Sequence, residues 1–343
     1  MADPRFYDNR GPFSLADVCA AAAVPLPDGV DRKTLIHDVA SLSGASRTHL
    51  SFFSGGFGGG DQLAKSQAGY CFVPRGKAWP VPAGMVALPA DSPPHAFAAV
   101  AELFYPDWNV IEWGEQNIHA TAKIAADAVL APGVVIGADA EIGGGTTIGP
   151  GTSIGPGVTV GQRCVIGANV SVTHAYIGDE VVVLPGTQIG QSGFGFASSP
   201  KGHTKMPHLG RIILQDRVEV GAVCALDRGA LGDTVIGEGT KIDNLVQIGH
   251  NVRTGRHCVF AGQAGIAGSA ELGDFVILGG QAAVADHVTL GDGARAAGQT
   301  GFAPGNYPGG KDYGGTPART AMEWKRENAT LAKLIKPKRN KND

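Results

Sequence analysis

The chain has 343 residues, and a composition of 43% hydrophobic residues, 17% charged residues and 52 glycines indicates a packed fold with many tight turns rather than a disordered chain. Its formal net charge of −3 at pH 7 provides no overall basic field, which argues against nucleic acid as a partner. Five cysteines without CxxC spacing predict neither a disulfide framework nor a zinc site, and no long apolar run is present, so we expect a cytoplasmic protein without a transmembrane segment.

Residues 1–110 show no six-residue period and predict a separate small α/β domain. Ser14, followed by Asp17, has the form of a helix N-terminus and predicts a short helix through the alanine-rich run that ends at Ala23. Three strands and a second helix are predicted at 49–53, 70–74, 85–89 and 94–104. The glycine-rich run 55–60 lacks the Gly-Lys-Ser/Thr of a phosphate loop, so we interpret it as a surface loop.

Aliphatic residues recur at every sixth position from Ile118 to Val172, and the period returns from Ile236 to Ala296 with one polar interruption at Thr254. Neither an α-helix nor a single β-strand produces this period. A parallel β-helix does, because its chain meets the same environment on each six-residue side of a triangular coil. We therefore predict a mainly β fold in which residues 111–303 form a parallel β-helix of roughly nine to ten coils.

The period breaks from Gln191 to Arg211, so we expect this segment to loop out of the β-helix as an insertion. Long loops on a rigid scaffold are places where binding residues concentrate. Lys205 and His208 of the insertion are therefore candidate substrate-binding residues.

Residues 304–343 follow the β-helix and predict a glycine-rich turn, a helix and a basic tail. Thr316-Pro317 has the form of an N-cap followed by the first helical residue, and the helix is predicted to run to about Lys336. From Ala318 onwards eight basic residues stand against three acidic ones, a local balance of +5. We interpret this tail either as a solvated surface or as a docking site for an acidic protein.

His250 lies in the regular late ladder, and His287 follows 37 residues later, which is two coils plus one residue. We expect both histidines on the same face. Asp243 precedes His250 by one hexad plus one residue, and we expect its carboxylate to orient the imidazole as a general base. Gly265 and Gly268 are candidates to offer backbone amides to an oxyanion. No Ser or Cys nucleophile has a matching base, which favours direct transfer over a covalent enzyme intermediate.

Several motifs resemble those of one enzyme family: Gly193-Phe194-Gly195-Phe196, Gly210-Arg211, Asp227-Arg228-Gly229-Ala230-Leu231, Ile242-Asp243-Asn244, Gln247-Ile248-Gly249-His250-Asn251-Val252 and Ala267-Gly268-Ser269. Together they resemble the UDP-3-O-acylglucosamine N-acyltransferases of lipid A biosynthesis. The resemblance covers about residues 14–335. It implies a left-handed β-helix, an exception to the usual right-handed crossover, and a separate uridine-binding domain at residues 1–110.

The resemblance implies a homotrimer, and the flat faces of a β-helix favour packing three copies around an axis. It implies transfer of an (R)-3-hydroxyacyl chain from acyl carrier protein to the 2-amine of a UDP-3-O-acylglucosamine, in the cytoplasm and compatible with a peripheral position at the inner membrane. His250 is implied to be the general base, His287 a second active-site histidine beside the pantetheine thioester, and Gly268 the amide that binds the oxyanion. The residues implied to line the sugar and pantetheine region are Asp243, Asn244, Gln247 and Asn251. No cofactor of the protein's own is implied, because 4′-phosphopantetheine arrives on the carrier protein.

In the N-terminal domain the resemblance places Phe52 in the role of the aromatic residue that stacks on uracil. The segment 54–57 that follows departs from the family's Asn-Pro-Lys-Tyr. The acyl chain is expected in a groove between neighbouring β-helices, because the ladder fills the interior. Phe302, near the small residues Ala296 and Gly301, is expected to close that groove.

Three other functions stay open from the residues. β-Helix carbonic anhydrases also place histidines about two coils apart, but this chain has Asp292 where a third histidine would be needed. A non-catalytic β-helix scaffold would need neither Asp243 nor His250. A sugar acyltransferase of another pathway would differ in its donor, with acyl-CoA in place of acyl carrier protein.

Overall fold

The computed structural model describes residues 2–55, 59–76, 78–200, 202–316, 318 and 320–335. Along this part of the chain a small α/β unit precedes a long parallel β-helix, and an α-helix follows it. The predicted mainly β architecture is confirmed. None of the helices within the described residues is long and apolar enough to cross a membrane.

The N-terminal unit contains a four-stranded parallel sheet whose strands follow the order of the chain. These strands are Asp38–Val39, His49–Phe52, Tyr70–Pro74 and Val86–Ala90. A short antiparallel pair and three helices complete the unit: Phe13–Ser14 with Leu35–Ile36, α1 (Leu15–Ala21), α2 (Gly59–Lys65) and α3 (Pro93–Phe104). Phe97 and Phe104 of α3 are fully buried in a core shared with the sheet.

Helix α1 begins where the sequence predicts but ends earlier. The Ser14 hydroxyl accepts a hydrogen bond from the Asp17 N–H at 3.2 Å, and the Asp17 carboxylate accepts one from the Ser14 N–H at 3.3 Å. This reciprocal pair satisfies two N–H groups at the start of the helix. The helix ends at Ala21 because Ala23 has a left-handed φ of 51°.

Three parallel sheets form the faces of the β-helix, and neighbouring strands in each sheet belong to successive coils. In the regular coils paired residues lie 18 positions apart, as Glu141 pairs with Thr159 and Thr147 with Val165. The six-residue period is thus one side of a triangular coil. Ten, ten and nine strands on the three faces agree with the predicted number of coils.

The first face contains strands Lys123–Ile124, Glu141–Ile142, Thr159–Val160, Ala175–Ile177, Ile212–Leu214, Thr234–Ile236, Arg253–Thr254, Glu271–Leu272, Thr289–Leu290 and Asn306–Tyr307. The second contains Val129–Leu130, Thr147–Ile148, Val165–Ile166, Val182–Val183, Glu219–Val220, Lys241–Ile242, Val259–Phe260, Ile277–Leu278, Arg295–Ala296 and Asp312–Tyr313. The third contains Val135–Ile136, Ser153–Ile154, Ser171–Val172, Gln188–Ser192, Ala225–Arg228, Gln247–Ile248, Gly265–Ile266, Ala283–Val284 and Gly301–Phe302.

The ladder residues point into the prism and form one continuous core. Thr254 is tolerated there because its hydroxyl accepts a hydrogen bond from the Gly237 N–H at 2.9 Å. Phe302 and Ala296 are ladder residues of the same kind, only 4% and 7% exposed. The expectation that Phe302 closes an external groove is therefore wrong, because in its strand Gly301 is the residue that faces outward.

The segment predicted to loop out forms a β-hairpin, Phe196–Ser199 paired with Gly202–Lys205, beside the third face. At the other end, strands Asn306–Tyr307 and Asp312–Tyr313 continue the ladders past residue 303, where the sequence suggests that the β-helix ends. Tyr307 takes a ladder position although it follows Phe302 by five residues instead of six, and Tyr313 follows six residues later. Both rings pack against Phe302.

The last helix, α4, spans Ala321–Ile335. It begins later than predicted, because Thr320 and Glu323 make the reciprocal capping bonds at 3.3 and 3.0 Å. Thr316 instead donates its hydroxyl to the Gln299 carbonyl at 3.3 Å. Pro317 and Lys336, at the two predicted ends, lie outside the described residues.

Candidate active site

Two cavities meet at the corner between the third and first faces of the β-helix. The insertion cavity, of about 660 Å³, lies between the third face and the hairpin and is bordered by Lys205 and Gln247. The interdomain cavity, of about 500 Å³, lies between the first face and the N-terminal unit and is bordered by Phe52. His250 and His287 border both cavities.

His250 and His287 stand on the same corner, two coils apart. The Ser269 N–H donates to the His250 carbonyl at 2.8 Å, and the His287 N–H donates to the Gly268 carbonyl at 3.2 Å. These backbone hydrogen bonds link the corners of successive coils, as the strand pairings link their faces. The position predicted from the 37-residue spacing agrees with this arrangement.

Asn251 holds the imidazole of His250. The side-chain Oδ1 of Asn251 lies 3.1 Å from Nδ1 of His250 and also accepts a hydrogen bond from the Ala230 N–H at 2.9 Å. Because Oδ1 is an acceptor, Nδ1 of His250 carries a hydrogen, so in the neutral ring the lone pair lies on Nε2. The contact with Asn251 thereby fixes the orientation of the imidazole.

Gly268 lies against the Nε2 edge of the His250 ring. A Cβ atom on Gly268 would stand 2.8 Å from Nε2 of His250, which is closer than any side chain tolerates. No acceptor for the Gly268 N–H is found among the residues that the structure describes. The N–H of Gly265, in contrast, donates to the Ala282 carbonyl at 2.9 Å. Of these two candidates, Gly268 is therefore the one that lies beside the His250 ring and whose N–H has no acceptor among the described residues.

The insertion packs against His250 through a buried histidine. The ring of His208 is 5.1 Å from that of His250, with an interplanar angle of 74°. Its Nδ1 donates to the Met206 carbonyl at 2.9 Å, and burial lowers the pKa of His208 to about 3. A Cβ on Gly193 would lie 2.8 Å from the Cβ of His250. The insertion can approach His250 this closely only because residue 193 is glycine, and His208 forms a neutral wall behind it.

Lys205 and Asp227 are the charged groups of the insertion cavity nearest to this wall. Lys205 donates to the Gly193 carbonyl at 2.7 Å, and burial lowers its pKa. Asp227 is 4% exposed and accepts a hydrogen bond from Gln191 at 2.9 Å, and burial raises its pKa. Sequence reasoning missed any role for Asp227, although it lies in a motif where the six-residue phase shifts.

Asp243 and Asn244 do not border either cavity. The Asp243 carboxylate accepts hydrogen bonds from the N–H groups of Asn244 and Gly262 at 2.7 and 3.0 Å, and the Asn244 side chain accepts one from Ala222 at 2.7 Å. The prediction that Asp243 orients His250 is therefore wrong within one chain. A seven-residue offset moves a side chain to the next corner of the triangle, and only an 18-residue step returns it to the same corner.

The N-terminal unit contributes the far end of the interdomain cavity. Phe52 borders it and contacts Phe97, with ring centroids 4.7 Å apart. The neighbouring Ser51 also borders the cavity, and its fully buried hydroxyl has no hydrogen-bond partner within the described part of the chain. An unpaired buried hydroxyl beside an aromatic ring is suited to a polar, planar ligand. The segment predicted to diverge, 54–57, lies partly outside the described residues.

The metal alternative gains no support from the described residues, which contain no cluster of three or more His, Cys, Asp or Glu that could hold a metal ion. Asp292, which stands in for the third histidine, instead accepts a hydrogen bond from the Asp274 N–H at 2.9 Å.

Comparisons with known proteins give one consistent result. Residues 33–103 match the family model of UDP-3-O-(3-hydroxymyristoyl) glucosamine N-acyltransferase, and residues 117–150 and 139–174 match that of bacterial transferase hexapeptide repeats. The chain is 44% identical over 346 residues to UDP-3-O-acylglucosamine N-acyltransferase of Methylorubrum extorquens, covering 97% of both chains. It is 47% identical over 334 residues to the enzyme of that name from Caulobacter vibrioides, covering 97% of this chain and 98% of the relative.

Among solved structures, UDP-N-acetylglucosamine acyltransferase from Bacteroides fragilis is similar with a TM-score of 0.42 and 16% identity, over 65% of this chain and 86% of that one.

Proposed function

The chain belongs to the UDP-3-O-acylglucosamine N-acyltransferase family, and we propose that it transfers an (R)-3-hydroxyacyl group from acyl carrier protein to the 2-amine of UDP-3-O-(3-hydroxyacyl)-glucosamine, with His250 as general base. Family membership makes it an N-acyltransferase of lipid A biosynthesis. The base assignment rests on one observation: Asn251 fixes the hydrogen on Nδ1 of His250 and leaves the lone pair of Nε2 beside the free Gly268 amide.

In the proposed reaction the amine nitrogen attacks the carbonyl carbon of the thioester while Nε2 of His250 accepts a proton from that nitrogen. The oxygen of the tetrahedral intermediate accepts a hydrogen bond from the Gly268 N–H. When the intermediate collapses, the amide C–N bond remains, the C–S bond breaks, and His250 returns its proton to the departing pantetheine thiolate. The imidazole ends neutral, and no covalent enzyme intermediate is required.

The two cavities are proposed to receive the two substrates. The interdomain cavity extends from Phe52 to His250, so a uracil ring stacked on Phe52 would leave the glucosamine at the catalytic corner. The insertion cavity, bordered by Gln247 and His287, is proposed to receive the pantetheine thioester. Lys205 of the hairpin and Asp227 of the third face also border this cavity and are proposed to contact the substrates there.

A homotrimer is proposed because the second face carries exposed aliphatic side chains on both sides of the ion pair between Glu219 and Lys241. Val129, Val165, Val259 and Ile277 are each at least 40% exposed. Exposed aliphatic groups on a flat face suit packing against another copy of the chain. Asp243 and Asn244 lie on the corner between the second and third faces, so a neighbouring copy would be needed to bring them to an active site.

Helix α4 is the proposed docking site for acyl carrier protein, which is acidic. Lys325, Arg326 and Lys333 are exposed along it, against Glu323 and Glu327. Exposed basic side chains accelerate the encounter with an acidic partner. Because the carrier protein is found in the cytoplasm, that compartment is also proposed for this enzyme.

Donor exchange tests the proposed function. The purified protein is offered UDP-3-O-(3-hydroxyacyl)-glucosamine with the same acyl chain on either acyl carrier protein or coenzyme A, and the amide product is quantified by mass spectrometry. We expect amide formation with the carrier-protein donor at a kcat/KM well above that with acyl-CoA. Equal or better use of acyl-CoA would contradict the donor assignment, and an inert UDP-glucosamine substrate would contradict the acceptor.

A further inference from the structure

The interdomain cavity joins two kinds of surface that are far apart in the sequence. Phe52 and the unpaired hydroxyl of Ser51 lie at the end formed by the N-terminal sheet. His250 and His287 lie at the end formed by the β-helix corner. Any ligand that occupies both ends must pass the outward side chains of the first face.

Arg253 stands on that face, between the two ends. Its strand, Arg253–Thr254, turns Thr254 into the core and leaves Arg253 exposed on the cavity wall. It follows the base-orienting Asn251 by two residues. In the adjacent coil its pairing partner is Glu271, which also borders the cavity.

The guanidinium of Arg253 is uncommitted. Two other arginines of the late β-helix, Arg256 and Arg295, are each engaged in ion pairs, with Asp274 and Asp312 at 2.9 and 2.7 Å. Arg253 makes no ion pair or side-chain hydrogen bond with any residue that the structure describes, although Glu271 is its neighbour. An exposed cation kept free beside a cavity is available to an anionic ligand.

The other cations near the catalytic corner are already engaged. Lys205 donates to the Gly193 carbonyl and borders the insertion cavity instead. Arg228 is 2% exposed and donates to the carbonyls of His208, Gly190 and Trp108 at 3.0 to 3.2 Å. Of the arginines and lysines within the described residues, Arg253 is the one that borders the interdomain cavity.

We propose that Arg253 binds the diphosphate of the nucleotide-sugar substrate, an inference that rests on the function proposed above. In such a substrate the diphosphate links the nucleoside to the sugar, so it must lie between Phe52 and His250, where Arg253 stands. The planar guanidinium matches phosphate oxygens in a bidentate arrangement. Its positive charge also offsets that of the neighbouring Glu271 carboxylate, which would otherwise repel the diphosphate.

Calorimetric binding of uridine and UDP to wild-type protein and Arg253→Gln tests the proposal. Wild type is expected to bind UDP more tightly than uridine. Arg253→Gln should bind UDP about 10- to 100-fold more weakly and uridine with unchanged affinity, because only the phosphate contact is lost. The UDP affinity of Arg253→Lys should lie between those of wild type and Arg253→Gln. In turnover, KM for the nucleotide sugar should rise while the KM for the acyl donor stays the same.

The matched control is Arg256→Gln, which removes the same charge three residues away and should leave both affinities unchanged. The proposal is overturned if Arg253→Gln retains the wild-type preference for UDP over uridine, or if it weakens the binding of both ligands equally. Either result leaves the acyltransferase assignment standing. If wild type binds neither ligand and turns over no nucleotide sugar, the proposed function itself fails.

Discussion

Gly268 and His250 are so close that a Cβ atom at position 268 would lie 2.8 Å from both Cε1 and Nε2 of the imidazole. Glycine is therefore required at position 268 because a side chain would clash with the imidazole. Gly268 also provides the N–H proposed to bind the oxyanion. Any side chain at 268 must displace the imidazole that Asn251 holds in place.

Gly268→Ala is expected to lower kcat by about 10²-fold or more, since a displacement of about 1 Å at a catalytic group has an effect of that size. The control is Gly280→Ala, at the equivalent hexad position of another corner. A Cβ there would meet the Gly262 carbonyl at 3.5 Å, an ordinary contact. Steady-state kinetics and melting temperatures of both variants are compared. Wild-type kcat in Gly268→Ala would contradict the geometry.

Asn251→Ala is expected to lower kcat by about 10- to 100-fold with little change in either KM, because Nδ1 of His250 loses the acceptor that orients the ring. Asn251→Asp keeps an oxygen at that position and should recover part of the loss. Asn251 also borders the interdomain cavity, so a direct substrate contact is the competing role. A rise in KM for the nucleotide sugar at constant kcat would favour that role instead.

The six-residue period predicted the fold well because every ladder position repeats one environment, so a single period specifies both the interior and the sheets. It predicted less about the site. His250 and His287 were placed together correctly, since their separation is close to a whole number of coils. The predicted position of Asp243 beside His250 was wrong, since a step of one hexad leads to a different corner.

Other features depend on tertiary contacts that no local pattern contains. Asn251 suits a left-handed corner, where its φ is 60°, but its bond to His250 depends on the Ala230 N–H from the preceding coil. The roles of Gly193 and His208 follow from how the hairpin folds back on His250. Arg253 belongs to no sequence motif that indicates a function. Only its position between the N-terminal unit and the β-helix corner connects it with the interdomain cavity.

Stability should fall on acidification because of two buried histidines. Burial, with the nearby Arg228 charge, lowers the pKa of His174 to about 3, and burial lowers the pKa of His208 to about 3. In the unfolded chain these groups titrate near 6.5. As the pH falls, these histidines are protonated in the unfolded state at a higher pH than in the folded state. Their contribution to the free energy of unfolding is therefore fully present above about pH 6.5 and is lost as the pH falls towards 3.

Each histidine contributes a slope of about 1.4 kcal/mol per pH unit within that window. His174→Gln should bind about one proton fewer on unfolding, so the slope should fall by about 1.4 kcal/mol per pH unit, whatever the effect of the substitution on stability at neutral pH. Urea denaturation between pH 7.5 and 5 measures the slope. An identical slope in the variant would mean that His174 is protonated in the folded state as readily as in the unfolded chain.

Replacing Lys333, Lys336 and Arg339 by glutamate is expected to raise KM for acyl carrier protein and flatten its salt dependence, because an attractive encounter becomes a repulsive one. Lys336 and Arg339 lie outside the described residues. KM for the nucleotide sugar should not change. A variant with arginine at positions 333 and 336 keeps the charge and serves as the control. If the carrier KM and its salt response stay the same in the glutamate variant, the tail is only a solvated surface.

The most direct test of the central claim is kcat of His250→Ala with acyl carrier protein as donor, measured beside its melting temperature and oligomeric state. Loss of a general base typically lowers the rate by about 10²- to 10⁴-fold. We expect a loss in that range with melting behaviour and assembly unchanged, because His250 is half-buried at the corner and is not part of the hydrophobic core. A variant that keeps more than about a tenth of wild-type kcat would contradict the assignment of His250 as the base.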